Sequence, residues 1–192
     1  MSDLTFAQPE RRHFALPILL ALAILVVAAG LLAYFFPYKK PQLAITHTDV
    51  YVAKTVFAKQ NFQNGSHVVG QGPSTEEDLY VLANVHIDNP LKLPLDLNDF
   101  TATLTTSDGS QMKTSAIETG EFDTIFTAFP ALKPMAGAPL LRESNIAPGH
   151  SAEGVVMLQF PISKIVWDQR QSATLTIEFY RESPVTLTIP KP

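Results

Sequence analysis

The amino-acid sequence predicts a mainly β protein in which an antiparallel β-sandwich follows one N-terminal transmembrane helix. Three observations support this prediction. Residues 14–36 form one uncharged, apolar run. Later segments alternate between apolar and polar residues, as strands do. Turn residues separate those segments, and strands do not alternate with helices. The chain has 192 residues, which is enough for one domain and an appendage.

The composition excludes several kinds of protein. The chain contains no cysteine, which excludes a disulfide scaffold, an iron–sulfur cluster and a cysteine nucleophile. The 14 basic and 18 acidic residues give a net charge of −4, which provides no electrostatic attraction to nucleic acid. Hydrophobic residues make up 46% of the chain, too large a share for a disordered protein. We therefore expect a folded protein that does not bind nucleic acid.

The apolar run of residues 14–36 is long enough to cross a membrane. Its 23 residues carry no charge, and at about 1.5 Å per residue a helix of that length extends roughly 35 Å. The hydrocarbon core of a bilayer is about 30 Å thick. Pro17 lies in the first turn, where a missing N–H is tolerated. We predict a retained transmembrane helix whose side chains contact membrane lipid, among them Phe14, Leu20, Leu25, Leu32 and Phe36.

A cleaved signal peptide is the alternative for this segment. Val27, Ala28 and Ala29 resemble a small-residue cleavage site. The apolar run continues to Phe36, however, well beyond the usual apolar region of a signal peptide. The sequence therefore favours an anchor over a signal.

The flanking charges do not decide the orientation of this helix. Two arginines, at 11 and 12, precede it, and two lysines, at 39 and 40, follow it, so the positive-inside comparison is a tie. The segment before the helix is too short to be a domain, which favours an N-terminus inside and a domain on the periplasmic side of the cell membrane. The predicted organisation is a tail of residues 1–13, a helix of 14–36, a linker of 37–42 and a β-sandwich domain of 43–192.

Two-residue alternation is the strongest signal after the linker. From Asp78 to Asp88 the odd-numbered residues are apolar and the even-numbered ones are mostly polar, as in a strand that covers a core with one face. Similar runs lie at 43–52, 100–106, 154–160, 173–180 and 185–189. The predicted core contains Leu79, Val81, Val85, Ile87, Phe100, Leu104, Val156, Leu158, Phe160, Leu175, Ile177, Phe179, Leu187 and Ile189.

Turn residues separate the predicted strands. Pro90 follows Asn89 at the end of one run, and proline cannot donate to a strand ladder. Asp108 and Gly109 form the centre of a predicted hairpin turn. Several short strands joined in this way indicate an antiparallel β-sandwich.

Two stretches do not follow the alternation. Residues 58–77 are polar and rich in glycine, and we interpret them as a long loop or a wide hairpin. Residues 121–141 are apolar, with helical spacing of phenylalanines up to Pro130. Two interpretations stay open for the second stretch. It is either a short helix that closes one end of the sandwich or an exposed patch that binds a protein partner through Phe122, Phe126, Phe129 and Met135.

Two segments, residues 80–109 and 145–161, resemble a bacterial family of uncharacterised envelope domains with a telokin-like, immunoglobulin-type sandwich. That family occurs in lipoproteins and membrane-anchored proteins outside the cytoplasmic membrane. A second resemblance is to the water-stress, late-embryogenesis-abundant type of sandwich. The matching residues are Asn89, Phe100, Asp108, Gly109, Pro148, Gly149, Gly154, Val156, Phe160 and Pro161.

The resemblance implies an immunoglobulin-like fold and a place in the cell envelope, and it transfers no catalytic residue. The lipoprotein members of the family are anchored through a cysteine, which this chain lacks. The helix of residues 14–36 would then take over the anchoring.

Catalytic and metal-binding motifs are weak in this sequence. Ser151 lacks the glycine spacing of a hydrolase nucleophile and precedes a strand pattern, so we predict a turn there. His47 and His86 could face each other on neighbouring strands and bind a metal ion. Asp96 to Asp99 is dense in oxygen ligands but lacks the spacing of a calcium loop, and we interpret it as a turn.

The sequence therefore predicts a non-catalytic, membrane-anchored protein with no cofactor and no metal. We expect it to be an interaction or accessory subunit of an envelope assembly that binds a protein partner. The alternative is an envelope protein that binds a small ligand or a metal through His47, His86 or the Asp96–Asp99 segment.

Overall fold

The computed structural model describes residues 15–35, 39–57, 63–64, 67–68 and 74–191. The chain divides into two compact units, Met1–Lys39 and Lys40–Pro192. The helices are α1 (Ala15–Phe35), α2 (Phe122–Ala128) and α3 (Lys164–Asp168). The strands are β1 (Gln42–Phe57), β2 (Gln63–Asn64), β3 (His67–Val68), β4 (Ser74–Asp88), β5 (Leu95–Thr105), β6 (Gln111–Ser115), β7 (Asn145–Ile146), β8 (Ser151–Phe160), β9 (Ser172–Phe179) and β10 (Val185–Thr188).

Helix α1 lies in the first unit. It has 21 residues, and every side chain between positions 17 and 32 is exposed. Across the described residues, no helix combines the length and the apolar character needed to span a membrane. Of the predicted lipid contacts, Leu20, Leu25 and Leu32 lie on α1, whereas Phe14 and Phe36 lie outside the described residues.

The second unit is built from antiparallel sheets, as the sequence predicts. One sheet has three strands in the order β1-β4-β8, and another has the order β10-β9-β5-β6, with β7 also paired to β5. Strands β2 and β3 form a separate two-stranded pair inside the stretch predicted as a loop or wide hairpin. Residues 74–77 at the end of that stretch belong to β4, which begins at Ser74. The rest of the stretch lies outside the described residues.

One hydrophobic core takes its side chains from both larger sheets. The odd-numbered residues of β4 lie in it together with apolar residues of β5, β8 and β9. Thirteen of the fourteen predicted core residues are buried, and Leu187 is half-buried against the same core. The alternation of strands therefore predicted the inward face correctly.

The predicted turn at Asp96–Asp99 is wrong, because β5 begins at Leu95. Leu95 and Leu97 are buried in the core, so the alternation that marks this strand starts five residues earlier than the sequence interpretation placed it. An irregularity in the pairing with β9 lies between Leu97 and Asp99. The aspartates are therefore strand residues.

The predicted polar face of β4 is also wrong in its first half. Tyr80 and Leu82 are buried in a second apolar cluster on the opposite side of the strand from the main core. The sequence of β4 alone does not show this burial, because the residues that cover Tyr80 and Leu82 are supplied by the segment around α2.

A buried arginine closes the end of the core beside α3. Arg170 is fully buried, and its Nη1 and Nη2 donate to the backbone oxygens of Trp167 at 2.9 Å and Pro190 at 2.7 Å. Its guanidinium carbon lies 3.9 Å from the centroid of the Trp167 ring, which itself packs on Phe160. Burial lowers the pKa of Arg170, and the nearby Asp168 partly opposes that shift. Trp167 is itself buried in the main core.

The Asp108–Gly109 hairpin turn is confirmed. Gly109 has a φ of 87°, which favours glycine. The Asp108 carboxylate accepts hydrogen bonds from the Thr106 hydroxyl at 2.5 Å and from the Ser110 amide and hydroxyl at 3.0 Å. These bonds, the one from Thr106 first, lower the pKa of Asp108.

We predict that Asp108→Asn lowers the melting temperature of the full chain at pH 7, because the amide is a weaker acceptor than the carboxylate. The folded-state pKa of Asp108 is depressed, so its contribution is present above the unfolded value of about 3.9 and is lost as the pH falls through the folded value. The difference in melting temperature between the two proteins should therefore shrink below about pH 4. A difference that stays constant down to pH 2 would contradict this account.

Candidate interaction site on the three-stranded sheet

The outer face of the three-stranded sheet carries an apolar cover, which we define as residues 119–140. Its buried members are Phe122, Leu132 and Leu140, and it includes α2 and two short 3-10 turns, Thr119–Glu121 and Pro130–Leu132. Under it lies the second cluster, to which the sheet contributes Ala53, Tyr80, Leu82, Val155 and Met157.

Aromatic rings hold the cover to the sheet. The Phe129 ring centroid lies 6.2 Å from that of Tyr51 and 5.7 Å from that of Tyr80. Within α2, the Phe122 and Phe126 rings meet edge to face at 5.7 Å. Burial raises the pKa of Tyr80, and the charge of Asp78 adds to that effect.

The local sequence explains why the cover folds as it does. The Thr127 hydroxyl donates to the Asp123 carbonyl within α2. Proline at position 130 cannot continue the helix, so α2 ends before it and a 3-10 turn follows. That turn places Leu132 in the second cluster, where it is completely buried. Burial of one leucine contributes about 1.5–3 kcal/mol.

Backbone hydrogen bonds attach the end of the cover to strand β8. The Leu140 amide donates to the Val155 carbonyl at 3.0 Å, and the Val155 amide donates to the Ala138 carbonyl at 2.8 Å. Gly154 lies under this contact, because a Cβ atom built on it would come within 2.6 Å of the Leu140 nitrogen. Glycine is therefore required at 154 for the close approach of the two backbones.

Arg142 ties the other side of the cover to the five-stranded sheet. Its Nε donates to Asp99 Oδ1 at 2.7 Å, and its Nη2 donates to the Ala116 carbonyl at 2.7 Å. Its Nη1 also donates to the Glu118 carboxylate. The guanidinium thus connects β5 with the chain that enters the cover.

The four residues predicted to bind a partner all belong to the cover. Phe122 is only 7% exposed and packs inside the protein, so it cannot serve as a contact unless the cover opens. Phe126, Phe129 and Met135 are half-buried and pack against the second cluster. The predicted helix is confirmed, but it packs on a face of the sheet and does not close one end. Partner binding by the half-exposed residues stays a prediction.

A shallow pocket of about 230 Å³ lies where the cover meets the polar end of the sheet. It is lined by His47, Asp49 and Asn84 on the sheet and by residues 134–137 of the cover. The Asn84 amide nitrogen donates to Glu153 Oε1 at 3.1 Å, whereas its buried Oδ1 has no hydrogen-bond partner within the described part of the chain. The pocket therefore combines polar residues of the sheet with apolar residues of the cover.

The two histidines predicted as possible metal ligands do not pair directly. His47 lies opposite Asn84, and His86 lies opposite Ala44, in the register that pairs β1 with β4. Each histidine instead contacts an aspartate two residues along its own strand, at 3.1 Å for His47 and 3.2 Å for His86. In the described ranges, no group of three or more histidine or acidic side chains is arranged to hold a metal ion.

Ser151 lies at the exposed start of β8, opposite Asp88. The turn before it is confirmed, since Gly149 has a φ of 73° and the His150 amide donates to the Ala147 carbonyl. The serine therefore enters a strand and does not open a helix.

Comparison with known proteins identifies no family. No family model matches the chain, and no curated protein matches it. A solved structure described as "X-ray structure of Northeast Structural Genomics Consortium target SoR45" aligns with 74% of this chain and 82% of its own, at 7% identity. The TM-score of 0.32 is too low to indicate a shared fold.

We predict that Gly154→Ala separates the cover from β8, because the added methyl group would overlap the Leu140 backbone. The overpacking should lower the free energy of unfolding by about 1–3 kcal/mol, measured by urea unfolding of the full chain. Gly120→Ala is the matched control, since a Cβ there meets nothing within 4 Å. Equal stability of the two variants would show that the close contact is unimportant.

Proposed function

We propose that this protein is a non-catalytic, membrane-anchored interaction or accessory subunit whose immunoglobulin-like β-sandwich lies on the periplasmic side of the cell membrane. The observation that carries the proposal is helix α1, which has apolar side chains on every side. Leu20, Leu25 and Leu32 are 64%, 69% and 61% exposed to the surroundings. A helix that is apolar all round is suited to a lipid environment.

The length of the anchor supports the same proposal. The uncharged run of 23 residues would extend roughly 35 Å as a helix, compared with a hydrocarbon core of about 30 Å. Burial of these side chains in lipid would remove a large apolar surface from water. The compact β unit that begins at Lys40 would then remain outside the bilayer.

The shared core supports the sandwich interpretation of the second unit. Apolar side chains of both larger sheets meet in a single cluster, which is the arrangement of two sheets packed face to face. The residues that carry the resemblance to envelope domains have structural roles, since Gly109 and Gly149 adopt positive φ and Gly154 permits a close backbone contact. Because these motif residues have structural roles and none is assigned to catalysis, we propose an interaction role for the domain.

Single-cysteine labelling in intact cells tests the anchor and its orientation, because the natural chain has no cysteine. We predict that Ser107→Cys, in the exposed hairpin turn, reacts with a maleimide that cannot cross the cytoplasmic membrane. The matched variant Ser2→Cys should react only after the cells are permeabilised.

Reversed labelling of the two variants would place the domain inside the cell and would contradict the proposed orientation.

A variant with Leu25→Arg completes the test of the anchor. A charge at the centre of a transmembrane helix costs about 2.5–3.5 kcal/mol on insertion, so less protein should sediment with membranes. Unchanged sedimentation of that variant, or a protein that never sediments, would contradict membrane anchoring.

A further inference from the structure

Strands β1 and β4 extend beyond the third strand of their sheet. Their pairing continues from Ala53–Asp78 to Phe57–Ser74, whereas β8 pairs with β4 only as far as the Leu79–Phe160 pair. Among the described residues, positions 74–78 therefore have a strand neighbour on one side only. We call the paired residues 53–57 and 74–78 the β-arm.

The chain turns away from the β-arm immediately after β8. Proline follows at position 161 and cannot donate to a ladder. The Ile162 amide donates to the Phe160 carbonyl, and α3 begins two residues later. This turn leaves a groove of about 550 Å³ between residues 75–78 of the β-arm and residues 161–163.

Hydrogen bonds at the far edge of β8 determine which backbone groups of β4 face β8. The backbone groups of Val155 and Met157 bond to the cover and to Ile117, so they point away from β4. Their partners on β4 are Asn84 and Leu82, which must therefore direct their own backbone groups towards β1. It follows that the odd-numbered residues of β4 direct their N–H and C=O groups towards β8.

The same alternation continues into the β-arm. The N–H and C=O groups of Thr75 and Glu77 point into the groove, beyond the end of β8. Those of Glu76 and Asp78 point towards β1 and belong to the β1–β4 ladder. The groove therefore presents backbone donors and acceptors at every second residue, as a free sheet edge does.

Acidic side chains give this edge a preference for a basic partner. Lys54 Nζ lies 3.1 Å from Glu77 Oε1 and neutralises that carboxylate. Glu76 is exposed and Asp78 is half-buried, and neither lies within ion-pair distance of a basic side chain in the described part of the chain. Ile162, half-buried against the main core, forms an apolar part of the groove wall.

We propose that an extended, basic segment of a partner protein adds to the three-stranded sheet as a new strand beside residues 74–78. It would run antiparallel to β4, in line with β8. Lysine or arginine would lie opposite Asp78 and Glu76, and β-branched residues would lie opposite Glu77 and Thr75. Main-chain hydrogen bonds supply affinity in such strand addition, and alternate side chains supply specificity. The inference names the partner chemistry for the proposed interaction role and does not depend on membrane insertion.

The test uses the full chain in detergent micelles and the labelled peptide acetyl-Lys-Val-Lys-Val-Thr. Its lysines match Asp78 and Glu76 in the proposed register, and its valines match Glu77 and Thr75. We expect saturable binding, by fluorescence anisotropy, within titration to about 1 mM. The acidic peptide acetyl-Glu-Val-Glu-Val-Thr should bind at least tenfold more weakly. Absence of binding to the basic peptide, or equal binding of both peptides, would overturn the proposal.

N-methylated peptides of the same composition test the strand geometry. In the proposed register the valine amides donate to β4, and the lysine amides point away from it. N-methylation of both valines should therefore abolish binding, whereas N-methylation of both lysines should change the dissociation constant by less than threefold. The reverse result, or equal effects of the two modifications, would exclude strand addition. This comparison uses the unaltered protein, so it does not depend on the folding of a variant.

A charge reversal then locates the site on the protein. Glu76→Lys combined with Asp78→Lys should remove binding of the basic peptide and produce binding of the acidic one. The matched control is Glu121→Lys with Glu143→Lys, which makes the same change in net charge at exposed positions elsewhere. Loss of binding in both variants would show a general charge effect and would overturn the assigned site. Peptide binding in micelles is independent of cell labelling, so failure here would leave the proposed anchor and orientation standing.

Discussion

Burial of strand β4 on both faces is the constraint on which the rest of the domain depends. Its odd-numbered side chains lie in the main core, and Tyr80 and Leu82 lie in the second cluster. A strand with two apolar faces needs a layer of structure on each side. The five-stranded sheet contributes to the inner layer, and the cover forms the outer one. The position of α2 and its two 3-10 turns therefore follows from the need to cover two side chains of one strand.

The same cover also protects an edge of the three-stranded sheet. The bonds that Val155 makes to Ala138 and Leu140, with the bond from Ile117 to Met157, occupy the outer edge of β8. Natural sheets cover such edges because a free edge can pair with another chain. The β-arm differs in this respect, since its edge at Thr75 and Glu77 has no strand beside it among the described residues. The three-stranded sheet therefore has one edge covered at β8 and, among the described residues, one stretch at 74–78 with no strand on its outer side.

Local patterns in the sequence predict the strands, whereas the features that these patterns do not show depend on long-range contacts. The alternation at 79–87 and 173–179 is sufficient to predict the inward face of β4 and β9, because every second side chain there is buried in the main core. The alternation places Tyr80 and Leu82 on a solvent face, because nothing near them in the sequence indicates a cover. The buried Arg170 was not foreseen either, because its partner Pro190 is 20 residues away.

The candidate site was predicted only in part. The helical spacing of the phenylalanines located α2, but exposure could not be read from spacing, and Phe122 is buried. The register of β1 against β4 places His47 opposite Asn84 and His86 opposite Ala44, and the alternation pattern does not specify that register. The groove beside the β-arm depends on where β8 ends relative to β4. Proline at 161 is a local signal for that end, but the position of the end, with Phe160 opposite Leu79, is a property of the assembled sheet.

Residue-by-residue amide hydrogen exchange of the folded domain tests the double burial of β4 most directly. If the cover is an integral layer, the amides of Val155 and Leu140, whose hydrogen bonds join β8 to the cover, exchange as slowly as that of Val81, at the rate set by global unfolding. Exchange at Val155 and Leu140 that is faster by orders of magnitude, through local opening of the cover while Val81 stays protected, would contradict the account.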